Sequence, residues 1–159
     1  MRNFERLEVW KKAHHKYGFT LIELMVVLII LSTLAMLVMP KIFGRVEDAK
    51  RTAAMVQIKN FEMALRLFYL DNGFYPDTEQ GLDALVKKPT FGRVPEKWRE
   101  DGYLEKGKVP LDPWRNPYIY ISPGINNKEY DIISYGRDGE EGGESADKDI
   151  ENWNLEEAR

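Results

Sequence analysis

Residues 18–39 read GFTLIELMVVLIILSTLAMLVM, and this stretch decides the fold of the chain. The 21 residues that follow Gly18 carry a single charge, on Glu23. About 20 consecutive apolar residues are enough for a helix to cross a bilayer, because each residue adds about 1.5 Å. The stretch 19–39 therefore predicts a transmembrane segment that forms the first half of a long helix.

The segment before this stretch is rich in basic residues. Its bases are Arg2, Arg6, Lys11, Lys12 and Lys16, and its acids are Glu5 and Glu8. Positively charged flanks of a membrane helix stay in the cytoplasm. We therefore expect residues 1–18 on the cytoplasmic side, and residues 40–159 on the opposite side as one domain.

The small residue Gly18 precedes the apolar segment, whereas an ordinary secretory signal has its cleavage site after a shorter apolar core. Cleavage here would remove a basic leader, residues 1–18, and leave the apolar helix on the mature chain. The run GFTLIE at 18–23 resembles the class III signal of type IV prepilins and pseudopilins. The resemblance implies cleavage between Gly18 and Phe19 by a membrane prepilin peptidase, followed by N-methylation of Phe19.

Glu23 is a carboxylate inside an otherwise apolar stretch. At the centre of a membrane helix a charge costs roughly 2.5–3.5 kcal/mol or more unless it is paired. One interpretation places Glu23 near the helix end, where its side chain reaches the lipid headgroups. The other gives it a partner inside the membrane, and the resemblance implies that this partner is the α-amino group of Phe19 on a neighbouring subunit. An unpaired Glu23 would then favour assembly over a lone subunit.

Apolar residues continue beyond Pro40 at helical spacing. Five of them recur every three or four residues: Ala54, Ile58, Phe61, Leu65 and Phe68. The opposite face is charged, with Arg45, Asp48, Lys59, Glu62 and Arg66. This period predicts an amphipathic second half of the helix, which ends at the capping sequence 71–73 and packs its apolar face on a small domain. We expect one helix of about 50 residues in total.

Short segments separated by glycine and proline follow the helix. Residues 78–85 predict a short helix that stops before Pro89. Residues 118–121 and 130–135 predict strands that are joined by a turn at 124–127. Two or three strands do not fold alone, so we expect a small antiparallel sheet packed on the long helix. The predicted class is α+β.

Three further motifs resemble the major pseudopilin G family of bacterial type II secretion systems. They are GLDAL at 81–85 before Pro89, LDPW at 111–114 with PYIY at 117–120, and DG at 138–139 with GG at 142–143, DI at 149–150 and Trp153. One position departs from the family, which usually has glycine where this chain has Arg115. The resemblance implies a type IV pilin-like fold with an acidic metal-binding loop near the C-terminus.

The acidic loop, residues 138–149, reads DGEEGGESADKD and holds six acids and one base. Such a run repels itself in water and tends to disorder, which is one interpretation. The other is a site for a hard divalent cation, because Ca²⁺ takes roughly six to eight oxygen ligands from carboxylates and carbonyls. The spacing only partly imitates an EF-hand, since Gly142 stands at the fifth position and paired flanking helices are not expected.

The pseudopilin resemblance independently implies a calcium site in the acidic loop. It points to Asp138 and Asp149, with Asp147 as an addition and backbone carbonyls completing the shell. Type IV pilins proper commonly clamp this region with a disulfide, whereas this chain has no cysteine. Calcium is the expected substitute staple.

Composition argues against several function classes. The net charge of -3 gives no reason to expect nucleic-acid binding. His14 and His15 lie in the leader, so the body has no histidine for a catalytic triad or a metal site. Nothing in the chain resembles a glycine-rich phosphate loop. We therefore expect a protein without catalysis of its own.

The resemblance implies a structural subunit of the type II secretion pseudopilus. Such a subunit polymerises into a short periplasmic filament that pushes folded proteins through the outer-membrane channel. The implied partners are other copies of the chain, minor pseudopilins, the inner-membrane secretion platform with its ATPase, and the prepilin peptidase and methyltransferase. The implied location is the bacterial inner membrane, crossed once, with the N-terminus in the cytoplasm and the body in the periplasm.

Two rival interpretations stay open at this point. A type IV pilin for adhesion, motility or DNA uptake would share the N-terminal motif, although paired C-terminal cysteines would have favoured it. A membrane-anchored periplasmic enzyme could use the acidic loop as a metal-hydrolase centre. Against that enzyme, residues 16–159 contain no histidine ligand.

Overall fold

The structure is a computed structural model that describes residues 18–155, with the backbone alone for 37–43. The chain divides into two compact units, of which the first ends at Pro40. Within the described residues, no helix is long and apolar enough to cross a membrane. The rest of the predicted leader, residues 1–17, lies outside the described part of the chain.

One helix, α1, runs from Leu21 to Asn72 over 52 residues. At its start, the Thr20 hydroxyl accepts a hydrogen bond from the Glu23 N–H at 3.2 Å, which satisfies one of the free donors of the first turn. At its end, Gly73 adopts a φ of +77° and donates its N–H to the Tyr69 carbonyl at 2.7 Å. The prediction of one long helix with a glycine cap is confirmed.

The core of the second unit is built on the predicted apolar face of α1. All five residues of that face are 0% exposed: Ala54, Ile58, Phe61, Leu65 and Phe68. They share one cluster with residues of the sheet region, namely Tyr118, Tyr120, Ile132 and Ile150. Burying one large apolar side chain contributes about 1.5–3 kcal/mol, so this face fixes the helix on the sheet. The predicted packing of the helix on the sheet is confirmed.

Three short strands form one antiparallel sheet in the order β1, β2, β3. They are β1 at Ile119–Ile121, β2 at Asp131–Ser134 and β3 at Ile150–Glu151. The strands predicted at 118–121 and 130–135 are confirmed with slightly shorter ends. The pattern does not predict β3, because two residues are too few to show an alternation.

The short helix predicted at 78–85 is present only in its last turn, as a 3₁₀ helix at Leu82–Leu85. Gly81 precedes it with a φ of +60°, a left-handed conformation that stops a right-handed helix from running through this position. The first half of the prediction is therefore wrong.

A buried carboxylate, Asp131, holds the hairpin between β1 and β2. It accepts hydrogen bonds from the backbone N–H groups of Ile125, Asn126 and Asn127 at 2.7, 2.7 and 2.8 Å. These bonds satisfy three donors that the turn would otherwise leave unpaired. The turn was predicted, but its anchor was not.

A second buried carboxylate, Asp112, holds the turn that presents Trp114. It accepts hydrogen bonds from the N–H groups of Trp114 and Asn116 at 3.0 and 2.8 Å, and from the Ser134 hydroxyl at 2.7 Å. The turn is thereby fixed to β2. Its Trp114 side chain reaches α1, where Nε1 donates a hydrogen bond to Glu47 at 2.8 Å.

Candidate functional site

The acidic loop connects β2 to β3. These strands are antiparallel neighbours, and Ser134 pairs with Ile150. Because the pairing closes the two ends of the loop on each other, the first and last acids, Asp138 and Asp149, come near one another. Asp138 and Asp149, two of the three acids expected to bind a metal, thus stand at the two ends of one loop.

Asp149 is half-buried at the end of this loop. Burial raises the pKa of Asp149 above its ordinary value, and repulsion from Glu141 and Asp138 adds to the rise. A hydrogen bond from the Gly142 N–H to Oδ2 at 2.9 Å opposes it. Within residues 18–155, the other oxygen, Oδ1, is buried without a hydrogen-bond partner. A buried carboxylate oxygen without a partner is costly, and a bound cation would remove that cost.

The other two predicted metal residues differ in their surroundings. Asp138 is exposed, and its Oδ1 accepts a hydrogen bond from the Glu140 N–H at 3.2 Å. Asp147 has a partner within the chain, because Arg137 donates to both of its carboxylate oxygens, at 2.8 and 2.9 Å. Asp138 therefore has free coordination sites, whereas Asp147 is held in an ion pair.

The backbone of the loop packs closely around the Asp147 carbonyl. Gly143 has a φ of +81°, and a Cβ at this position would lie 2.7 Å from that carbonyl oxygen. Gly136, with a φ of +67°, would bring its Cβ to 2.8 Å from the same atom. Both positions require glycine, for its backbone conformation and for its missing side chain. The two glycines therefore allow the backbone to fold closely around this carbonyl.

A cation in this loop would have few side-chain ligands. Within residues 18–155, no three histidine, aspartate or glutamate side chains converge on a common point. The available set is Asp138 and Asp149 with backbone carbonyls of the glycine-rich turn. This all-oxygen set fits Ca²⁺, which accepts carbonyls in flexible geometry, better than Zn²⁺, which prefers nitrogen and sulfur, or Mg²⁺, which demands near-octahedral geometry.

Sequence reasoning missed two residues of α1 that contact the C-terminal region. Glu47 accepts the hydrogen bond from Trp114, and Arg51 donates hydrogen bonds to two carbonyls of the acidic loop. They occupy the next two positions before Ala54 on the buried stripe of α1, which is the face that carries Ala54, Ile58, Phe61, Leu65 and Phe68. The helical period, continued towards the N-terminus, was the signal that could have found them.

At the other end of the described chain, the predicted processing residues lie next to α1. Gly18 and Phe19 are exposed just before the helix, and Glu23 is exposed in its first turn. Every residue from 18 to 36 is exposed. This apolar surface is therefore available for a membrane or for other subunits.

The body part of α1 carries a second apolar face, which was not predicted. Its members Val56, Met63, Leu67 and Leu70 are 53%, 60%, 39% and 70% exposed. Met63 and Leu67 also line a groove of about 480 Å³, which Tyr103 and Leu104 border on the other side. Exposed apolar residues grouped on one helix face indicate an interaction surface.

Two family models match the chain and together cover most of it. Residues 41–153 match the model described as type II secretion system (T2SS), protein G. Residues 14–39 match the model of the prokaryotic N-terminal methylation motif. The second match contains the residues that the sequence analysis assigned to processing.

Relatives with the name type II secretion system core protein G resemble the chain over nearly its whole length. The protein of Pseudomonas aeruginosa is 52% identical over 86% of this chain and 94% of its own. That of Vibrio cholerae is 46% identical over 92% of this chain and 97% of its own. These matches cover the body as well as the N-terminal helix.

A solved structure supports the same assignment. The major pseudopilin from the type 2 secretion system of enterohaemorrhagic Escherichia coli is 41% identical, has a TM-score of 0.61, and is matched over 71% of this chain and 94% of that one. A type IV pilin for adhesion or motility is not favoured, because the body matches the secretion family. The chain therefore belongs to the type II secretion system protein G family and is a pseudopilin subunit of that system.

Proposed function

We propose that this subunit polymerises into a short periplasmic filament that pushes folded proteins through the outer-membrane channel. The observation that carries the proposal is the uncovered apolar surface at 18–36, where every residue is exposed. A lone chain in water would not keep such a surface exposed, whereas a subunit buries it against neighbouring copies. The subunit has no catalysis of its own, and an ATPase of the secretion platform supplies the energy. Minor pseudopilins complete the filament.

Before assembly, the same surface would lie in the inner membrane. The leader, residues 1–18, would be cytoplasmic and the body, residues 40–159, periplasmic, as the basic flank favours. Prepilin peptidase would cleave between Gly18 and Phe19 and methylate the new terminus. Both residues are exposed outside α1, so the peptide bond between them is accessible.

Glu23 would pair with the α-amino group of Phe19 on the neighbouring subunit. Its exposed position in the first turn of α1 leaves the carboxylate available to a second chain. Glu23→Leu should insert into the membrane at least as well as the native chain, because the cost of a buried charge is gone. Filament formation should nevertheless fail, and normal filaments from this variant would refute the pairing.

The acidic loop would hold a structural Ca²⁺ through Asp138 and Asp149, with backbone carbonyls completing the shell. When bound, the ion supplies the positive charge that the unpartnered Oδ1 of Asp149 needs. It would also close the connection between β2 and β3 in a chain that has no cysteine for a disulfide. The body would therefore gain stability from Ca²⁺ that a chelator removes.

Complementation tests the whole proposal. The chain is expressed in a bacterium that lacks its own core protein G, and secreted protein and sheared filaments are measured. We expect secretion and filaments from the native chain and from Gly18→Ala, with a mature subunit that begins at a methylated Phe19 by mass spectrometry. Gly18→Leu should leave uncleaved precursor and no secretion, because the bulky side chain blocks close approach of the peptidase. Full secretion by the uncleaved precursor would overturn the assignment.

A further inference from the structure

The buried stripe of α1 changes from apolar to charged residues near the start of the body. Its spacing of three and four residues, continued back from Ala54, leads to Arg51 and then to Glu47. Both side chains are partly buried, and both contact the C-terminal part of the chain. Charged groups at positions of this kind are costly unless the fold supplies partners for them. The partners therefore indicate what these two residues do.

Arg51 is bonded to the last turn of the acidic loop. Its Nη1 donates hydrogen bonds to the carbonyl of Lys148 at 2.7 Å and to the carbonyl of Ser145 at 3.1 Å. These carbonyls lie on either side of Asp147, and Lys148 is followed directly by Asp149. Charge-assisted bonds of this length are among the stronger hydrogen bonds in proteins. They determine where the backbone that carries Asp149 lies on α1.

The bonded turn has a conformation that it would rarely adopt alone. Ser145 has a φ of +58°, which few residues other than glycine adopt. The side chain of Ser145 is exposed. The bond from Arg51 to its carbonyl is thus a contact that holds this backbone against its local preference.

The positive charge of Arg51 lies within reach of two acids, Asp48 and Asp149. Burial lowers the pKa of Arg51, while Asp48, one helical turn earlier, and Asp149 oppose that change. An arginine stays protonated under all such influences. A positive charge therefore stands beside Asp149 whether or not a metal is bound.

The segment just before the acidic loop is also connected to α1. Glu47 accepts the hydrogen bond from Trp114, and Asn116 in the same turn donates its Nδ2 hydrogen to the Gly136 carbonyl at 3.0 Å. The hydrogen bond from Trp114 holds the pKa of Glu47 below its ordinary value. One turn of α1, from Glu47 to Arg51, thus connects to the last turn of the acidic loop and, through Trp114 and Asn116, to the segment just before the loop.

We propose that Arg51 is the positioning residue of the calcium site. It fastens the last turn of the acidic loop to α1, so that Asp149 is held near Asp138 before the ion binds. Because the turn is already ordered, Ca²⁺ binding does not have to offset the loss of conformational entropy of the turn, and the affinity for Ca²⁺ is higher. The inference rests on the proposed calcium site for its effect on affinity, but the fastening itself does not depend on the metal.

Four forms of the full chain in detergent test the proposal: native, Arg51→Ala, Arg51→Lys and the control Arg66→Ala, which removes an exposed arginine of the same helix. Amide hydrogen exchange is measured first, with chelator present. Two charge-assisted hydrogen bonds account for at least about a tenfold change in an equilibrium, so we expect Arg51→Ala to speed exchange in 138–149 by about tenfold. Exchange at 54–68 should stay native, which shows that the core is intact.

Calorimetric titration with Ca²⁺ is the second measurement. We expect Arg51→Ala to weaken the affinity by about tenfold, since the bound turn must now be ordered by the ion. Arg51→Lys keeps the charge on a shorter side chain and should recover part of the affinity, whereas Arg66→Ala should bind as the native chain does. A merely structural role would alter exchange in the core and give no such graded recovery.

The outcomes separate the two proposals. Native exchange and native affinity in Arg51→Ala would overturn the positioning role. Native exchange and native Ca²⁺ affinity in Arg51→Lys would overturn the role assigned to the two hydrogen bonds, because the positive charge alone would then be enough to hold the turn. If the native chain binds no Ca²⁺ but Arg51→Ala still loosens 138–149, the calcium site is refuted and the fastening by Arg51 is supported. If Arg51→Ala loses protection from exchange at 54–68, its core is disturbed and Arg51→Lys decides the question. An Arg51→Lys chain with native exchange at 54–68 but faster exchange at 138–149 supports the positioning role. An Arg51→Lys chain with native exchange in both segments overturns that role.

Discussion

Arg137 forms a bidentate ion pair with Asp147, in which Nε and Nη2 lie 2.8 and 2.9 Å from the two carboxylate oxygens. Asp149, two residues further on, keeps a buried Oδ1 that has no hydrogen-bond partner among the described residues. Two acids of one loop are therefore in opposite situations. The first has its charge balanced by the chain, whereas the second has an oxygen that a cation would satisfy.

This difference predicts unequal effects on calcium binding. For the native chain, a free Ca²⁺ concentration a hundredfold above Kd should stabilise the fold by about 2.7 kcal/mol. Asp149→Asn and Asp138→Asn should abolish the rise in melting temperature between chelator and millimolar Ca²⁺. Asp147→Asn should keep most of the rise, although it lowers the starting stability. If all three variants lost the Ca²⁺-dependent rise in melting temperature equally, Asp147 would be a calcium ligand like Asp138 and Asp149.

Arg115 has a φ of +79°, which lies in the left-handed region that favours glycine. A side chain in this left-handed region costs about 1–2 kcal/mol, which glycine avoids. Arg115→Gly should therefore raise the free energy of unfolding by about 0.5–1 kcal/mol, because the greater freedom of glycine in the unfolded chain takes back part of the gain. Denaturant unfolding measures this change. Arg115→Ala is the matched control, since it keeps the Cβ and should bring no gain.

Asp131 makes the fold sensitive to acid. Burial alone would raise the pKa of Asp131, but hydrogen bonds from the N–H groups of Asn126, Asn127 and Ile125 outweigh it and hold the pKa below its ordinary value. A carboxyl whose pKa is depressed in the folded state contributes stability above its unfolded pKa. That stability is lost as the pH falls through the folded pKa. The native chain should therefore lose stability as the pH drops below about 4, the unfolded value for aspartate.

Asp131→Asn tests this dependence. At pH 7 it should lower the free energy of unfolding by about 1–3 kcal/mol, because turn N–H groups lose a charged acceptor. At pH 3, which lies below the unfolded pKa of aspartate, the native chain and the variant should differ less than at pH 7. Asp83→Asn, which changes an exposed carboxyl, serves as the control and should resemble the native chain at both pH values. An equal deficit of Asp131→Asn at both pH values would contradict the assignment.

The parts of the fold that repeat a local pattern could be predicted from the sequence. The buried face of α1 shows its helical period over 54–68, and every predicted member is buried. β3 and the link from Arg51 to the acidic loop could not be predicted in this way. Both depend on residues far apart in the chain, and Arg51 lies 97 residues from its partner Lys148. A charged residue at a core-facing position is a sequence signal, but its partner is known only from the fold.

The acidic loop shows a similar division. Composition indicated a cation, and the resemblance to the pseudopilin family pointed to Asp138 and Asp149, which lie close enough for the charge of Asp138 to act on Asp149. The ion pair between Asp147 and Arg137 was not apparent, because a run of acids does not show which of its members already has a cationic partner. Composition also does not show why residue 143 is glycine. The structure gives the reason, since the Asp147 carbonyl occupies the space that a side chain would need.

The second apolar face of α1 predicts a variant that folds normally but assembles poorly. Met63 is 60% exposed, so Met63→Glu should leave the melting temperature of the chain within about 2 °C of native, as is usual for surface changes. In a filament this face would be covered, and a buried unpaired carboxylate is strongly unfavourable. Filament yield after shearing should therefore fall at least tenfold, by about 1.4 kcal/mol or more. Met63→Leu keeps an apolar side chain and should assemble normally. Native filament yield from Met63→Glu would show that this face stays exposed to solvent after assembly.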